Sequence, residues 1–452
     1  MMNKWIILLL LLPMAAWPCF TSQRAIELGK QHPDIDFESM AHHMHAQQRV
    51  EYQYKGPAGC IDGVSDIFPC SGIELAGWLE LPELGGGSGA DSWGWKDEQT
   101  DRYFALMGRS NGVAFVEVTD PANPVYLGNL PRPAGVQNSV WTDIKTYQNH
   151  VFVVADDVIG HGIQVFDLTR LREIKNPPVT FTMDAHYTQF DYAHNIFINP
   201  QSGFAYAVGS GSCAGGLHMV DIRTPSRPEF AGCFSADGYT HDVQCVLYQG
   251  PDERFTGREI CFASNEDSVT VVDVTEKSEP VLIGRHTYNT SAYTHQGWLT
   301  EDQRFFVTDD ELDETTPGFG LQGTRTLIFD LQTLDQATAP AEYIANGLSI
   351  DHNQYVVRGF TFQANYRRGL RVLRIDNPAS AQLTEVAWFD TYPAADGLGF
   401  SGAWNVYPFF DNGTLLVSDI NRGLFVLRVT EPDVLQTLTG STDTLFADGF
   451  EA

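Results

Sequence analysis

The sequence predicts an all-β fold, and a sevenfold repeat carries this prediction. Seven stretches rich in β-branched residues alternate large apolar side chains and end in a polar residue followed by a turn. They cover residues 113–121, 162–170, 216–222, 268–276, 324–332, 369–378 and 423–432. Their polar residues, from Glu117 to Arg428, are spaced by 44 to 57 residues. This period is typical of β-propeller blades, because one small sheet cannot bury both of its faces alone.

Further strands surround each repeat core. Two β-patterned stretches precede every core, and a strand containing a small residue follows several of them, at 124–130, 228–234, 280–286 and 383–389. The same pattern occurs at 73–79, where no core precedes it, whereas no such strand follows the last core. We therefore predict a seven-bladed β-propeller of four-stranded blades over residues 71–430, closed by strand 73–79, which completes the last blade and removes exposed strand edges.

The two ends of the chain differ from the repeats. Residues 1–19 combine one lysine, a short apolar run and small residues, as in a secretory signal peptide. Cleavage is favoured over lipidation at Cys19, so we expect a secreted, extracellular or periplasmic protein. Residues 20–70 are predicted to be a partly helical segment with a disulfide loop, in which His42, His43 and His45 are surface residues. Residues 431–452 are predicted to be a flexible tail.

Charge and motifs narrow the range of partners. The chain has 28 basic and 57 acidic residues and a formal net charge of −29. Nucleic acid and anionic membranes are therefore excluded as expected partners, because both need a positive surface. We expect a monomer without a transmembrane segment that binds an unknown protein or small-molecule ligand. GxSxG, HExxH and P-loop motifs do not occur, so the sequence assigns no catalytic residues and leaves open whether the protein is an enzyme.

Six cysteines follow the signal peptide, and an even number in an exported chain predicts disulfides. Cys245 and Cys261 flank a hairpin turn, and the repeat frame places Cys213 beside the strand that ends at Cys233. The predicted pairs are therefore Cys60–Cys70, Cys213–Cys233 and Cys245–Cys261. A cysteine metal site is the alternative, but it would lack the usual CxxC pair.

Three long segments carry a family resemblance, namely 239–267, 294–314 and 369–378. The repeat core, which leads through an apolar alternation to Val-Asp and a proline-rich turn, is similar to the LVIVD repeat. The arrangement as a whole resembles the exported choice-of-anchor B family, over nearly all of the chain after the signal peptide. The resemblance implies a β-propeller on exported proteins with various C-terminal anchoring devices, and it implies no catalytic residues.

The first strand of each blade lines the central channel, so equivalent positions on these strands are candidate site residues. One position holds four of the 13 histidines; it reads Trp93, Thr142, His194, His241, His295, His352 and Trp404. The next position is mostly polar and includes Asp143, Asp242 and Gln296. We predict a ligand-binding channel mouth formed by His194, His241, Asp242, His295, His352 and Trp404. Tryptophans 93, 95, 298 and 404 are expected in the core or channel wall.

Three interpretations of these histidines remain open. In the first, each imidazole hydrogen-bonds the backbone of a neighbouring blade and has a structural role. In the second, the site binds a divalent metal through His241, His295, Asp309, Asp310 and Glu311; imidazole suits zinc, whereas the carboxylate loop alone suits calcium. In the third, the bound metal or a histidine base supports hydrolase or lyase chemistry.

The acidic run Thr308–Glu314 has five carboxylates in seven residues. A solvated surface loop would be sufficient to explain it, because like charges repel. The run nevertheless opens an irregular insertion beside His295, and long loops on one face of a rigid scaffold are where binding sites usually lie.

Overall fold

The computed structural model describes residues 54–336 and 338–440. The predicted signal peptide, His42, His43, His45 and the predicted helical part of segment 20–70 lie outside the described residues, as do residues 441–452 of the tail.

The described strands are numbered in chain order. Before the first blade lie β1 (Val64–Ser65), β2 (Phe68–Ser71) and β3 (Ile73–Leu79). Blade 1 contains β4 (Gly89–Asp97), β5 (Arg102–Arg109), β6 (Gly112–Glu117) and β7 (Val125–Pro131). Blade 2 contains β8 (Thr142–Tyr147), β9 (His150–Ala155) and β10 (Ile163–Asp167); after β11 (Val179–Thr180) it is completed by β12 (Ala185–Tyr187).

The next three blades follow the same order. Blade 3 contains β13 (Asn195–Asn199), β14 (Phe204–Val208), β15 (Leu217–Asp221) and β16 (Glu229–Phe234). Blade 4 contains β17 (Asp242–Leu247), β18 (Glu259–Ser264), β19 (Val269–Asp273) and β20 (Val281–His286). Blade 5 contains β21 (Thr294–Leu299), β22 (Phe305–Asp310), β23 (Arg325–Asp330) and β24 (Ala341–Ile344).

The last two blades complete the ring. Blade 6 contains β25 (Gln354–Val357), β26 (Phe360–Ala364), β27 (Leu370–Asn377) and β28 (Gln382–Phe389). Blade 7 contains β29 (Ala403–Tyr407), β30 (Thr414–Asp419), β31 (Gly423–Val429) and, from the start of the chain, β3. β3 pairs antiparallel with β31, from Ile73 opposite Val429 to Leu79 opposite Leu424. The seven-bladed propeller and its closure by strand 73–79 are therefore confirmed.

Residues outside the predicted repeats also join the fold. β2 pairs with β28, and β1 pairs with β2, so the segment before the ring extends the sheet of blade 6 to six strands. β11 pairs in parallel with β7 and adds a fifth strand to blade 1. In the region assigned to a flexible tail, Pro432–Thr439 forms a short helix, α1, with Val434 and Leu438 buried. No helix among the described residues is long and apolar enough to cross a membrane.

Three disulfides join the predicted pairs, Cys60–Cys70, Cys213–Cys233 and Cys245–Cys261. Cys245 and Cys261 lie directly opposite each other on the two inner strands of blade 4. The pairing of neighbouring strands thus brought these cysteines together, as the repeat frame predicted. Such bonds are typical of oxidising, extracytoplasmic compartments.

Neighbouring blades are held together by large apolar side chains and by glycines. Phe115 stacks on Phe166 between blades 1 and 2, with ring centroids 4.9 Å apart, and Phe262 faces Phe306 between blades 4 and 5 at 5.9 Å. The small residue in the outer strand is a glycine at 77, 128, 232 and 284. At each of these positions a Cβ would clash with backbone of the following segment, such as Pro121 or Lys277. The repeated glycine therefore permits close approach of the next turn.

Candidate functional site

Four histidines and one tryptophan form a continuous layer across one end of the channel. The rings of His194, His241, His295, His352 and Trp404 follow one another with centroid distances of 4.4, 4.1, 4.5 and 4.6 Å. Each is at most 5% exposed. Side chains at these equivalent positions of successive blades are therefore in contact. The layer is, however, enclosed rather than open to solvent. We refer to this region as the histidine end.

Blade 1 does not contribute Trp93 to this layer. β4 begins at Gly89, and its pairing with β5 shifts register between Gly89 and Ser92. As a result Trp93 lies further along the channel, where its ring is 5.1 Å from that of Tyr407 and 5.8 Å from that of Tyr355. Ala90 instead belongs to the apolar cluster that contains Trp404. The alignment of Trp93 with the histidines was wrong because the irregular start of β4 is not visible in the sequence pattern.

The Nδ1 atoms of three histidines are engaged within or between blades. His241 Nδ1 donates to the carbonyl oxygen of His295 at 2.8 Å, and His352 Nδ1 donates to that of Trp404 at 2.6 Å. His194 Nδ1 lies 2.8 Å from Oδ2 of Asp156. The contacts of His241 and His352 reach the backbone of the next blade, as the structural interpretation expects. His194 instead contacts a carboxylate of the preceding blade, and the ring of His295 makes no hydrogen bond to the described residues.

The acidic run after β22 folds inward and is not a solvated loop. Asp309, Asp310, Glu311 and Asp313 are at most 2% exposed, and Glu314 is 8% exposed. Asp310 accepts hydrogen bonds from the backbone N–H groups of Ala292 and Tyr293 at 2.8 and 2.6 Å. The solvated-loop explanation is therefore wrong. Burying carboxylates is unfavourable unless they are paired and hydrogen-bonded.

Arg325 is the buried cation that faces this run. Its Nε donates to Oδ2 of Asp313 at 2.6 Å, and its backbone N–H donates to Oε1 of Glu314 at 3.0 Å. Burial alone would lower the pKa of the guanidinium, but Asp313 and Asp310 raise it. One guanidinium thus lies among several buried carboxyl groups and hydrogen-bonds directly to Asp313.

Burial changes the protonation of most groups here. It raises the pKa of Asp309, Asp313, Glu314 and Asp351 well above the usual carboxyl range. Neither carboxylate oxygen of Asp351 makes a hydrogen bond to the described residues. Desolvation lowers the pKa of His295 strongly and that of His352 to about 3, so both imidazoles are neutral at pH 7.

Two of these histidines converge on one carboxylate. His295 Nε2 lies 3.9 Å from Oε2 of Glu311, and His352 Nε2 lies 3.9 Å from Oε1 of the same residue. One ligand atom from each of the three residues lies within 4.8 Å of the others. Of the predicted metal set, His295 and Glu311 are in this group, whereas Asp309 lies behind His295 and Asp310 faces Tyr288 and Arg325. The third member of the group is His352, which the predicted metal set did not include.

A second charged layer lies deeper in the channel. Lys145 Nζ lies 2.8 Å from Oδ1 of Asp143 and 3.3 Å from Oδ2 of Asp91, and it stands 4.7 Å from the centre of the Trp93 ring. Burial would lower the pKa of Lys145, but Asp143 and Asp91 raise it well above its usual value. Burial raises the pKa of Asp242 to about 7. Sequence reasoning missed Lys145, although its place on the channel-lining strand of blade 2 was a signal.

Polar side chains of this layer link successive blades. Asp91 accepts from the backbone N–H of Ile144, Asp143 accepts from that of Ile196, and Asn405 donates to the carbonyl of Ser92 across the closure. The position that the sequence showed as mostly polar therefore serves inter-blade contacts, although Oδ1 of Asp91 and Oδ1 of Asn405 make no hydrogen bond to the described residues.

The opposite end of the channel, which we call the aromatic end, contains a pocket that sequence reasoning did not find. Its volume is about 140 Å³, and five blades contribute to its wall. Aromatic rings of Phe197, Trp298 and Phe409 meet polar groups of Asn199, Gln244 and Arg358 there. The rings pack on one another: the ring centroid of Trp298 lies 5.9 Å from that of Phe197 and 6.0 Å from that of Phe409. No signal in any single repeat indicates a pocket built from five of them.

Comparison with known proteins gives structural likenesses only. No protein-family model and no curated protein matches the sequence. Among solved structures, the β-propeller domain of Cps50 (Swd1) from Myceliophteria thermophila is 11% identical, with a TM-score of 0.46, over 79% of this chain and 100% of that one. The computationally designed protein Ika8 is 12% identical, with a TM-score of 0.46, over 81% and 94% of the two chains.

A functionally unknown protein from Desulfotomaculum acetoxidans is 12% identical, with a TM-score of 0.42, over 66% of this chain and 89% of that one. The assignment of seven four-stranded blades rests on the strand pairing described above.

Proposed function

We propose that this chain is an exported LVIVD-repeat propeller of the choice-of-anchor B family that acts as a binding scaffold. It takes a small ring-bearing ligand in the pocket at the aromatic end of the channel, not at the predicted mouth formed by the histidines. The observation that carries the binding role is the pocket at the aromatic end. The family and its secretion are supported by the repeat motifs, the leader-like first residues and three disulfides.

The pocket indicates the size and chemistry of the ligand. A cavity of roughly 150 Å³ accepts benzene in a protein core, so a pocket of about 140 Å³ accommodates one ring. Trp298 and Phe409 offer flat apolar surfaces, while Gln244 and Arg358 place polar groups in the same wall for a hydroxyl or carboxylate substituent. The wall thus combines aromatic and polar residues, and small-molecule sites likewise use polar groups to orient a ligand among apolar contacts.

Saturation-transfer NMR on the full chain tests this proposal with benzoate and methyl glucoside as probes. We expect transfer to the ring protons of at least one probe, and we expect its loss in Val246→Phe, which fills the pocket wall. Val125→Phe is the matched control, because Val125 is 43% exposed on the outer strand of blade 1. Transfer to neither probe, or unchanged transfer in Val246→Phe, would contradict the proposal.

A metal-dependent hydrolase or lyase at the histidine end is the second candidate, with zinc or calcium as the metal. The convergence of His295, His352 and Glu311 favours it. A bound metal would supply a water of lowered pKa. Hydrolysis of 4-nitrophenyl acetate that needs added Zn²⁺ and is lost in Glu311→Gln would support this function. Equal rates with and without metal would exclude it for this ester.

A further inference from the structure

His295, His352 and Glu311 come from three separate chain segments and meet in the interior. His295 is the second residue of β21, Glu311 directly follows β22, and His352 precedes β25. All three are at most 2% exposed. Since isolated polar groups are unfavourable in such a place, their convergence calls for a chemical explanation.

The directions of the two imidazoles are set from behind. His352 donates its Nδ1 hydrogen to the carbonyl of Trp404, and its Nε2 lies 3.9 Å from Oε1 of Glu311. His295 has Nδ1 at 3.2 Å from Oδ1 of Asp309, and its Nε2 faces Glu311. Metal-ligating histidines are held in the same way, with the second ring nitrogen facing a backbone carbonyl or a carboxylate.

His295 supplies an independent observation. Its side chain is 0% exposed, and neither ring nitrogen makes a hydrogen bond to the described residues. Leaving a buried acceptor unsatisfied carries the cost of its lost hydrogen bond to water. Coordination of a cation by Nε2 would remove that cost.

The carboxylate of the group is also fixed in place. Tyr366 donates its hydroxyl hydrogen to Oε1 of Glu311 at 2.6 Å. Asp309, behind His295, accepts from the backbone N–H of Gln296 at 3.0 Å. Glu311 is therefore held by Tyr366 of blade 6, and His352 by the carbonyl of Trp404 in blade 7. His295 faces Asp309 without a hydrogen bond and is positioned by packing between His241 and His352.

We propose that His295, His352 and Glu311 bind one divalent transition metal of the zinc class in an enclosed site that fastens blade 5 to blade 6. Two imidazole nitrogens and one carboxylate oxygen suit zinc, cobalt, nickel or copper, whereas calcium and magnesium prefer oxygen ligands throughout. His241, whose ring centroid is 4.1 Å from that of His295, is the candidate fourth ligand.

The observed distances are compatible with this assignment. Zinc–ligand bonds of about 2.1 Å place tetrahedral ligands roughly 3.4 Å apart, and the two imidazole–carboxylate distances are 3.9 Å. The two distances go to different oxygens of Glu311, and the three ligand atoms lie within 4.8 Å of one another. Binding therefore requires ligand atoms to approach one another by up to about 1.4 Å. The site lies at the other end of the channel from the ligand pocket, so it stands or falls independently of that pocket.

Metal binding to the full chain is measured with Co²⁺ and Zn²⁺ after chelator treatment. His42, His43 and His45 are first replaced by alanine, so that they do not contribute. We expect one Co²⁺ per chain with the visible absorption of a tetrahedral site, displacement by Zn²⁺, and a higher melting temperature on Zn²⁺ addition. Less than half an equivalent of Co²⁺ or Zn²⁺ per chain would overturn the proposal.

Variants then locate the ion. Glu311→Gln and His352→Gln should weaken Co²⁺ binding by at least about tenfold, and Asp309→Asn by about tenfold through the orientation of His295. His218→Gln is the control, because this buried histidine bonds Tyr187 away from the group and should leave the affinity unchanged. Unchanged affinity in both ligand variants would overturn the assignment.

X-ray absorption on the Zn²⁺-loaded protein, without any ligand substitution, covers the case in which a variant does not fold. We expect a first shell of nitrogen and oxygen at about 2.0–2.1 Å with the outer-shell signature of at least two imidazoles. A shell of oxygen alone would overturn the proposal.

Discussion

At the histidine end of the channel, imidazoles, carboxylates and Arg325 meet with almost no exposed surface, whereas at the aromatic end rings from several blades surround an open pocket. The same channel-lining strands supply both ends. Directional hydrogen bonds and ion pairs determine the structure of the histidine end, so the loss of one side chain there leaves its partners unpaired. Ring packing determines the structure of the aromatic end, and such packing tolerates changes of side-chain shape. The difference suggests that the histidine end rigidly holds neighbouring blades together, whereas the aromatic end is the adaptable binding surface.

The largest expected effect is the loss of the buried cation. Arg325→Met should lower the free energy of unfolding by about 4 kcal/mol, because Asp313 and its neighbours would remain buried without it. Arg304→Met is the matched control at the aromatic end, where the side chains of the pair with Asp330 are 38% and 31% exposed; it should cost less than about 1 kcal/mol. Urea unfolding at pH 7 measures both, and similar losses would remove the contrast between the two ends.

A smaller effect is expected from Trp298 at the aromatic end. Trp298→Ala should cost about 3 kcal/mol, since it removes a ring that packs on Phe197, Tyr355 and Phe409. If ring packing is adaptable there, Trp298→Phe should cost only about 1 kcal/mol. By contrast, Arg325→Lys keeps the charge but loses the planar guanidinium, and it should still cost more than about 2 kcal/mol. Urea unfolding of the three variants would contradict this view if Trp298→Phe were the most damaging.

The parts of this molecule that sequence could predict are those marked by the repeat pattern. Alternating apolar residues and turn spacing predict seven blades, and the unmatched strand 73–79 predicts their closure. Cys245 and Cys261 were predictable because paired strands bring them opposite each other. The shared histidine position was predictable for blades 3 to 6, where the first strands start regularly.

The rest depends on contacts between distant residues. The inward fold of the acidic run needs Arg325 and, from the next blade, Tyr366, neither of which marks the run as buried in the sequence. Trp93 was misplaced by the register shift within β4. The pocket needs side chains from five blades, and no repeat contains it.

The smallest expected effect concerns acidic residues near the two ends. Burial raises the pKa of Asp390, on the segment leading from blade 6 to the histidine end, to about 6; Arg371 and Arg422 oppose this shift and Asp396 adds to it. Its folded-state pKa lies above the unfolded value of about 3.9, so stability is lost as pH rises from about 4 to 6. Asp390→Asn keeps an acceptor for the Tyr392 N–H and does not titrate, so it should avoid that loss. Its free energy of unfolding relative to wild type should therefore rise by about 2 kcal/mol from pH 4 to pH 7.

Asp330 provides the opposite case at the aromatic end. Arg304 lowers the pKa of Asp330, so its contribution is present above the unfolded pKa and is lost as pH falls through the folded value. Asp330→Asn should therefore lose stability relative to wild type as pH rises toward neutrality, by less than about 1 kcal/mol because the pair is partly exposed. Urea unfolding at several pH values gives both differences. The same sign of pH dependence for the two variants would mean that burial does not distinguish the histidine end from the aromatic end.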